Sequence, residues 1–175
     1  MILEMASGSS LEEHSAARGR QGETVPQALL ALWALQVAVA VEHLHGRGIL
    51  HRDIATRNVC LVDDSSLAAR GGQGLLLAKL CDFGLARRVP LAGPRAGVCE
   101  EPVAAAGSHG GTYSRPAVPL GWAAPERLRP RLAVDDVQKM VLRSTAASDV
   151  WAFGVLLWET LVPGSRPYEE VDDIL

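Results

Sequence analysis

Residues 51–58 read His51-Arg52-Asp53-Ile54-Ala55-Thr56-Arg57-Asn58, and the rest of the chain is arranged around this polar stretch. An apolar run, residues 28–44, precedes it, and a short β-like run, residues 59–62, follows it. The pattern predicts a charged loop between a buried helix and a strand, which is more often a functional site than a spacer. Asp53 and Asn58 share this loop, and their spacing suits one carboxylate that accepts a proton and one amide that holds a metal ion.

A second carboxylate follows at a glycine turn, in the sequence Asp82-Phe83-Gly84. HRDIATRN followed by DFG resembles the catalytic loop and the metal-binding loop of protein kinases. The loop resembles the tyrosine-kinase form, because serine/threonine kinases usually carry lysine where this chain has Ala55. Two further stretches fit: residues 119–126 (PLGWAAPE) resemble the end of a tyrosine-kinase activation segment, and residues 148–159 (SDVWAFGVLLWE) resemble the buried αF helix.

The resemblance implies an α+β fold, mostly α, of the type of the protein-kinase C-terminal lobe. We expect residues 1–175 to form a partial kinase domain, truncated and without the N-terminal β-lobe, because the family's Gly-rich loop and strand lysine are not found. Its expected parts are a hinge at residues 1–11, the catalytic loop at residues 51–58, the activation segment at residues 82–126 and an αF-like helix at about residues 148–161.

The resemblance also implies roles for individual residues. Asp53 would orient and deprotonate the acceptor hydroxyl, and Arg57 would lie near the γ-phosphate and the acceptor. Asn58 and Asp82 would hold Mg²⁺ against the phosphates of ATP. The expected catalytic residues are therefore Asp53, Arg57 and Asn58, and the expected nucleotide-binding residues are Glu4, Ala6, Cys60, Asn58 and Asp82.

Five more positions have an implied role. Leu3 would be the gatekeeper beside the adenine site, and Pro119 would support the ring of a substrate tyrosine. Arg52 would pair with a phosphate on Tyr113, because phosphorylation adds roughly two negative charges and arginine binds phosphate well. Asp149 would accept backbone N–H groups of the catalytic loop, because a buried carboxylate needs partners; its alternative role is a helix N-cap.

The remaining elements are predicted from local pattern. Pro26 begins a helix that runs to about His45 and is apolar on most sides, which indicates burial in a domain. The apolar stretch at residues 28–41 is interrupted by Gln36 and is too short to span a bilayer. The other predictions are a frayed helix or loop at residues 12–24, strands at residues 58–62 and 75–80 joined by a flexible insertion, a mobile segment at residues 90–117 and a short helix at residues 134–142.

Composition limits the function classes. The net charge of −3 and the pI of about 5.9 give no basic patch, so we expect no nucleic-acid partner. The three cysteines (Cys60, Cys81 and Cys99) show no metal-binding spacing and favour a reducing compartment. The N-terminus has no basic region typical of a signal peptide. We therefore expect a cytoplasmic protein, or the cytoplasmic part of a larger membrane protein, with no membrane segment in this chain.

Three functions remain open. The first is an ATP-dependent protein kinase that phosphorylates protein hydroxyls, chiefly tyrosine. The second is a catalytically inactive kinase-derived fragment or docking module, favoured because no strand lysine is found. The third is a kinase of dual or serine/threonine specificity, against which Ala55, Arg57 and Pro119 all speak. The intact Asp53, Asn58 and Asp82 favour the first, although the chain by itself is expected to be inactive.

Overall fold

The computed structural model describes residues 8–63, 75–93, 95–102, 120–128 and 141–169. Several predictions fall on the other residues and lie outside the described part. These are the roles of Leu3, Glu4, Ala6, Tyr113 and Pro119, the insertion after residue 63 and most of the helix predicted at residues 134–142.

Helices and strands are mixed in the described part, which agrees with the predicted α+β class. The helices are α1 (Leu11–Arg20), α2 (Gln27–Gly46), α3 (Pro125–Leu128) and α4 (Ala146–Leu161). The strands are β1 (Ile49–Leu50), β2 (Val59–Asp63), β3 (Leu76–Leu80), β4 (Arg87–Arg88), β5 (Val98–Pro102) and β6 (Val141–Thr145). They form three antiparallel pairs, β1–β4, β2–β3 and β5–β6. Short 3-10 turns cover Thr56–Asn58 and Leu120–Trp122.

Helix α1 is more regular than the frayed helix or loop that the sequence predicts. Its N-terminus has a complete capping box, in which Ser10 Oγ accepts from the backbone N–H of Glu13 and the Glu13 carboxylate accepts from that of Ser10, both at 3.1 Å. Such a cap stabilises a helix by roughly 1 kcal/mol. Leu11 and Ser15 are buried, so the helix is also held by packing.

Helix α2 begins after Pro26 and ends at Gly46, close to the predicted limits. Trp33, Val37 and Val41 recur every four residues and form its buried stripe. The opposite side is exposed, with 60% of Leu35 and 54% of Val39 accessible to solvent. The prediction of burial on most sides is therefore wrong for the described part, which covers only one stripe of this helix.

Helix α2, with 20 residues, also has the length and apolar composition of a membrane span, and no other described helix has both. It is longer than the stretch at residues 28–41 on which the prediction rested, so length alone does not exclude a span. Core helices of soluble domains have the same character, and α2 packs against β3 and α4. Trp33 Nε1–H donates to the Leu76 carbonyl at 2.9 Å, and Gln36 Oε1 accepts from the Ala78 N–H at 2.8 Å.

The hairpin of β2 and β3 confirms the two predicted strands. Its register pairs Val59 with Leu80 and Asp63 with Leu76. The segment at residues 8–10 lies directly against β2, because the Leu61 N–H donates to the Ser9 carbonyl at 2.9 Å. The hairpin therefore begins right after the loop at residues 51–58 and leads back to Asp82.

Strands β5 and β6 correct two predictions. Val98–Pro102 pairs with Val141–Thr145, from Val98 opposite Thr145 to Pro102 opposite Val141. The mobile segment predicted at residues 90–117 is therefore wrong for residues 98–102, which form an ordered ladder. The helix predicted at residues 134–142 is wrong at its last two positions, which belong to β6.

Helix α4 extends over Ala146–Leu161 and begins two residues before the predicted start at residue 148. Its N-cap is Thr145, whose side chain accepts from the backbone N–H of Ser148, so the N-cap alternative for Asp149 is wrong. Ala152 and Leu156 of α4 join the buried core. That core also contains the α2 stripe, one residue of the charged loop and two residues of β2, namely Trp33, Val37, Val41, Ile54, Val59 and Leu61.

Candidate active site

One buried carboxylate, Asp149 on α4, holds the backbone of the loop at residues 51–58. Its Oδ2 accepts from the backbone N–H of His51 at 2.9 Å, and its Oδ1 accepts from that of Arg52 at 2.8 Å. The ring nitrogen Nε2 of His45 lies 2.9 Å from Oδ2. Only 1% of the Asp149 side chain is exposed, so these protein groups replace the water that the carboxylate has lost. The predicted role of Asp149 is confirmed.

The loop and the glycine turn each contain a residue with left-handed backbone. Arg52 has a φ of +73° and Asp82 a φ of +57°. A left-handed conformation costs a residue other than glycine roughly 1–2 kcal/mol, and such residues concentrate at functional sites. Arg52 is fixed by Asp149 at its N–H and by Arg127, whose Nη1 donates to the Arg52 carbonyl at 3.1 Å.

Asp53 is surrounded by the two residues predicted to act with it. Arg57 Nη2 lies 2.5 Å from Asp53 Oδ1, and Asn58 Nδ2 donates to Asp53 Oδ2 at 2.7 Å. Asn58 Nδ2 also lies 2.8 Å from the Asp53 carbonyl, so one amide ties the side chain to the backbone. Ile54 and Ala55 are fully buried beneath. The structure therefore brings the three predicted catalytic residues together, with the Asp53 carboxylate partly open to solvent.

His51 packs beneath this group as a neutral ring. Its Nε2 lies 3.1 Å from the Cys81 carbonyl, which can only accept, and its Nδ1 lies 3.4 Å from the backbone N–H of Asp53, which can only donate. Burial lowers the pKa of His51, and the nearby carboxylates, Asp149 first, only partly oppose this. The ring of Phe83 meets it edge-on at a centroid distance of 5.0 Å. His51 thus links the loop to the glycine turn.

Asp82 and Asn58 lie at neighbouring ends of the β2–β3 hairpin, because the backbone N–H of Cys81 donates to the Asn58 carbonyl at 2.8 Å. Asp82 is exposed, and its Oδ1 accepts from the Gly84 N–H at 3.0 Å. The described residues contain no cluster of three or more histidine, cysteine or acidic side chains suited to a metal. A carboxylate and an amide oxygen nevertheless fit Mg²⁺, which takes one or two protein ligands plus phosphate oxygens and waters.

The predicted adenine contacts are only partly described. Cys60 is half-buried on β2, where it pairs with Lys79 and bridges to Ser10. Cys60 thus lies against the end of the predicted hinge at residues 1–11, its contact with adenine stays a prediction, and Glu4 and Ala6 lie outside the described residues. Burial raises the pKa of the neighbouring Cys81 thiol, which keeps this thiol protonated at neutral pH.

Arg52 was expected to bind a phosphate on Tyr113, and this stays a prediction. The Arg52 side chain is buried, and its Nη1 donates to the Leu85 carbonyl at 3.2 Å. Glu126 accepts from Ser148 Oγ at 2.9 Å, which connects the end of the predicted activation segment to α4. The buried Arg127 was not singled out from the sequence, because an arginine after Pro125-Glu126 resembles any helix residue.

Two further side chains that sequence reasoning missed lie beneath Arg57. The Arg57 guanidinium stacks over the Trp122 ring, 4.5 Å from its centroid. Trp122 Nε1–H donates to Glu159 Oε2 at 2.7 Å. Glu159 and Asp149 are the two acidic residues of the apolar helix α4. Because a carboxylate in an apolar helix needs partners, Glu159 was predictable as a buried, hydrogen-bonded residue in the same way as Asp149.

Comparison with known proteins gives one consistent family. The family model of protein tyrosine and serine/threonine kinases matches residues 1–174. The chain is 34% identical over 177 residues to the non-receptor tyrosine-protein kinase TNK1 of Homo sapiens, covering 100% of this chain and 21% of that protein. It is 33% identical over 175 residues to the tyrosine-protein kinase Abl of Drosophila melanogaster, covering 98% of this chain and 8% of that protein. The chain thus spans only a small part of these relatives, and it belongs to the protein tyrosine and serine/threonine kinase family.

Proposed function

We propose that this chain carries the catalytic centre of a protein kinase that transfers the γ-phosphate of ATP to a tyrosine hydroxyl of a protein. The arrangement of Asp53, Arg57 and Asn58 is the observation that carries this proposal. Asp53 offers an acceptor-only carboxylate within 2.5 Å of a cation and 2.7 Å of an amide. Phosphoryl transfer depends mainly on positioning and on charge stabilisation, and this group supplies both.

In this mechanism Asp53 accepts the proton of the acceptor hydroxyl and orients the oxygen towards the phosphorus. Arg57 fixes the carboxylate and places positive charge near the transferred group. Asn58 and Asp82 would hold Mg²⁺, which supplies electrostatic stabilisation of the phosphate oxygens when bound. His51 stays neutral and connects the Asp53 backbone to the turn at Asp82, so one buried ring contacts both the base and the turn that carries a metal ligand.

Tyrosine specificity is the finer part of the proposal. Ala55 stands where serine/threonine kinases usually carry lysine, and Arg57 follows it in the tyrosine-kinase form. TNK1 and Abl, to which the chain is similar, are both tyrosine-protein kinases by name. We further propose protein substrates and a cytoplasmic location, in line with the name of TNK1 as a non-receptor kinase.

A second candidate is a docking module without catalysis. Neither Lys79, on β3 beside Cys60, nor Lys139 resembles the family's strand lysine, so residues 1–175 do not themselves supply that group. Without that lysine and a Gly-rich cover, the phosphates would stay in water, where charge stabilisation is weak. We therefore expect residues 1–175 alone to transfer phosphate no faster than an Asp53→Asn variant.

The experiment compares the chain alone with the same residues joined to the N-lobe of a tyrosine kinase relative. Radiolabelled ATP and a tyrosine peptide are the substrates, and Asp53→Asn and Asp82→Asn are the test variants. Asp63→Asn is the matched control, since Asp63 is exposed at the end of β2. We expect the fused protein and the control to be active and both test variants to be inactive. Near-normal turnover by either test variant would remove that residue from its role, and an inactive fusion would favour the docking module.

A further inference from the structure

Glu159 occupies an unusual position for a carboxylate, on the apolar helix α4 and facing the catalytic loop. Its Oε2 accepts from Trp122 Nε1–H at 2.7 Å and from the backbone N–H of Thr56 at 3.3 Å. One oxygen thus joins three parts of the chain: α4, the turn at Leu120–Trp122 and the turn at Thr56–Asn58. The two donors fix the indole ring relative to the backbone of the loop.

The indole ring in turn fixes Arg57. The Arg57 guanidinium carbon lies 4.5 Å from the centroid of the Trp122 ring, within the range of a cation–π interaction. The same guanidinium lies 2.5 Å from Asp53 Oδ1. A third of the Arg57 side chain is exposed, at 33%, so the ion pair alone would hold it weakly in water. The ring beneath restricts the guanidinium to the side of Asp53.

We propose that Glu159 is a positioning residue for Asp53 and that it acts through Trp122 and Arg57. In this account the Glu159 carboxylate orients the Trp122 indole, and the indole holds the Arg57 guanidinium. The guanidinium in turn fixes the Asp53 carboxylate, which receives the proton. The role in catalysis rests on the proposed kinase function, whereas the coupling among the four side chains does not. The coupling can therefore be tested on the chain without any assay of phosphate transfer.

The titration of Glu159 provides the readout. Burial raises the pKa of Glu159, while the hydrogen bonds from Trp122 and Thr56 and the positive charge of Arg57 act in the opposite direction. Arg57 is the charged group that faces Glu159. His51 also titrates in this pH range, so only a step that appears at both Trp122 and Arg57 and disappears in Glu159→Gln reports the Glu159 proton.

The experiment is a pH titration of the 175-residue chain. It is monitored by ¹H–¹⁵N NMR through two signals, the Trp122 indole N–H and the Arg57 Nε–H. We expect both signals to move together in one step, at a pH above the ordinary range of a glutamate. In Glu159→Gln the step should vanish while Arg57 keeps its ring-shifted signal, because the amide oxygen still accepts from the indole. In Glu159→Ala the ring shift of Arg57 should be lost. Glu42→Gln, at an exposed position of α2, is the matched control and should titrate like the original chain.

The outcomes separate the possibilities. If the Arg57 signal does not move with the indole signal, or if the step survives in Glu159→Gln, the coupling is wrong. Should Glu159→Ala unfold the chain, the titration of the unmodified protein and of Glu159→Gln still decides the matter. In an active form joined to an N-lobe, Glu159→Ala should lower kcat by up to about 100-fold at an unchanged KM for ATP, and Glu159→Gln should restore most of it. If the Trp122 and Arg57 signals are coupled but the fused protein transfers no phosphate, the positioning of Asp53 by Glu159 stands and only the proposed kinase function is contradicted.

Discussion

Replacement of Asp149 by asparagine should be far more damaging than its nearly unchanged shape suggests. The two carboxylate oxygens accept from the backbone N–H groups of His51 and Arg52 at 2.9 and 2.8 Å. An asparagine has one oxygen and one NH₂ group. In either orientation of the amide, one of the two backbone N–H groups therefore faces a donor.

The magnitude follows from these contacts. A hydrogen bond to a charged acceptor is worth about 1.5–3 kcal/mol, and leaving a buried N–H without a partner costs about 1–3 kcal/mol more. His45 Nε2, 2.9 Å from Oδ2, loses its carboxylate partner here as well. We therefore expect the free energy of unfolding to fall by about 3–5 kcal/mol, out of a total of about 5–15 kcal/mol for a typical domain.

The assay is urea unfolding and thermal unfolding of the purified chain, each monitored by far-UV circular dichroism. Asp149→Asn should shift Tm downwards by roughly 6–20 °C, at about 2–4 °C for each kcal/mol. Asp63→Asn makes the same chemical change at an exposed strand end and should stay within about 0.5 kcal/mol. A loss of less than about 1 kcal/mol in Asp149→Asn, or equal losses in both variants, would refute the reasoning.

The remaining predictions concern His51 and Trp33. Because the pKa of His51 is lowered from 6.5 in the folded chain, His51 takes up a proton at higher pH in the unfolded chain than in the folded chain. The free energy of unfolding should therefore fall as the pH drops below about 6.5, until the pKa of the folded state is reached. His51→Gln should flatten that slope in urea titrations at several pH values, and an unchanged slope would assign it to another group. Trp33→Phe removes the N–H that bonds the Leu76 carbonyl at 2.9 Å and should cost about 1–3 kcal/mol, measured by urea unfolding. Trp151→Phe, at a side chain 41% exposed, should cost much less, and equal losses would contradict the role of that hydrogen bond.

The part of the site that lies within one loop is predictable from sequence. Asp53, Arg57 and Asn58 all lie in the loop at residues 51–58, so their closeness follows from their spacing along the chain. Asp149 could be inferred as well, because a carboxylate at the start of an apolar helix needs partners, and the loop supplies the available N–H groups. Helix α4 and the β2–β3 hairpin follow from their apolar patterns in the same local way.

The contacts that sequence reasoning missed all join distant positions. Trp122 and Glu159 meet only because α4 passes under the loop, and no local pattern gives the direction of an indole N–H. The apolar character of α2 predicts burial on most sides, but the described part of the chain covers only the stripe with Trp33. Hydropathy alone therefore overestimated how much of the helix surface is buried. Strand β5 begins Val98-Cys99-Glu100, with no strong alternation, and pairs with β6 far along the chain. Tertiary pairing decided its structure where local propensity did not.

The β5–β6 ladder has a consequence for how the chain can be divided. Its register holds residue 102 opposite residue 141, so both ends of the intervening segment are fixed by the rest of the fold. The segment between those ends also supplies Trp122, Glu126 and Arg127 to the site. Two separately expressed halves, cut in that segment, could find each other through the ladder and rebuild the site as a split protein.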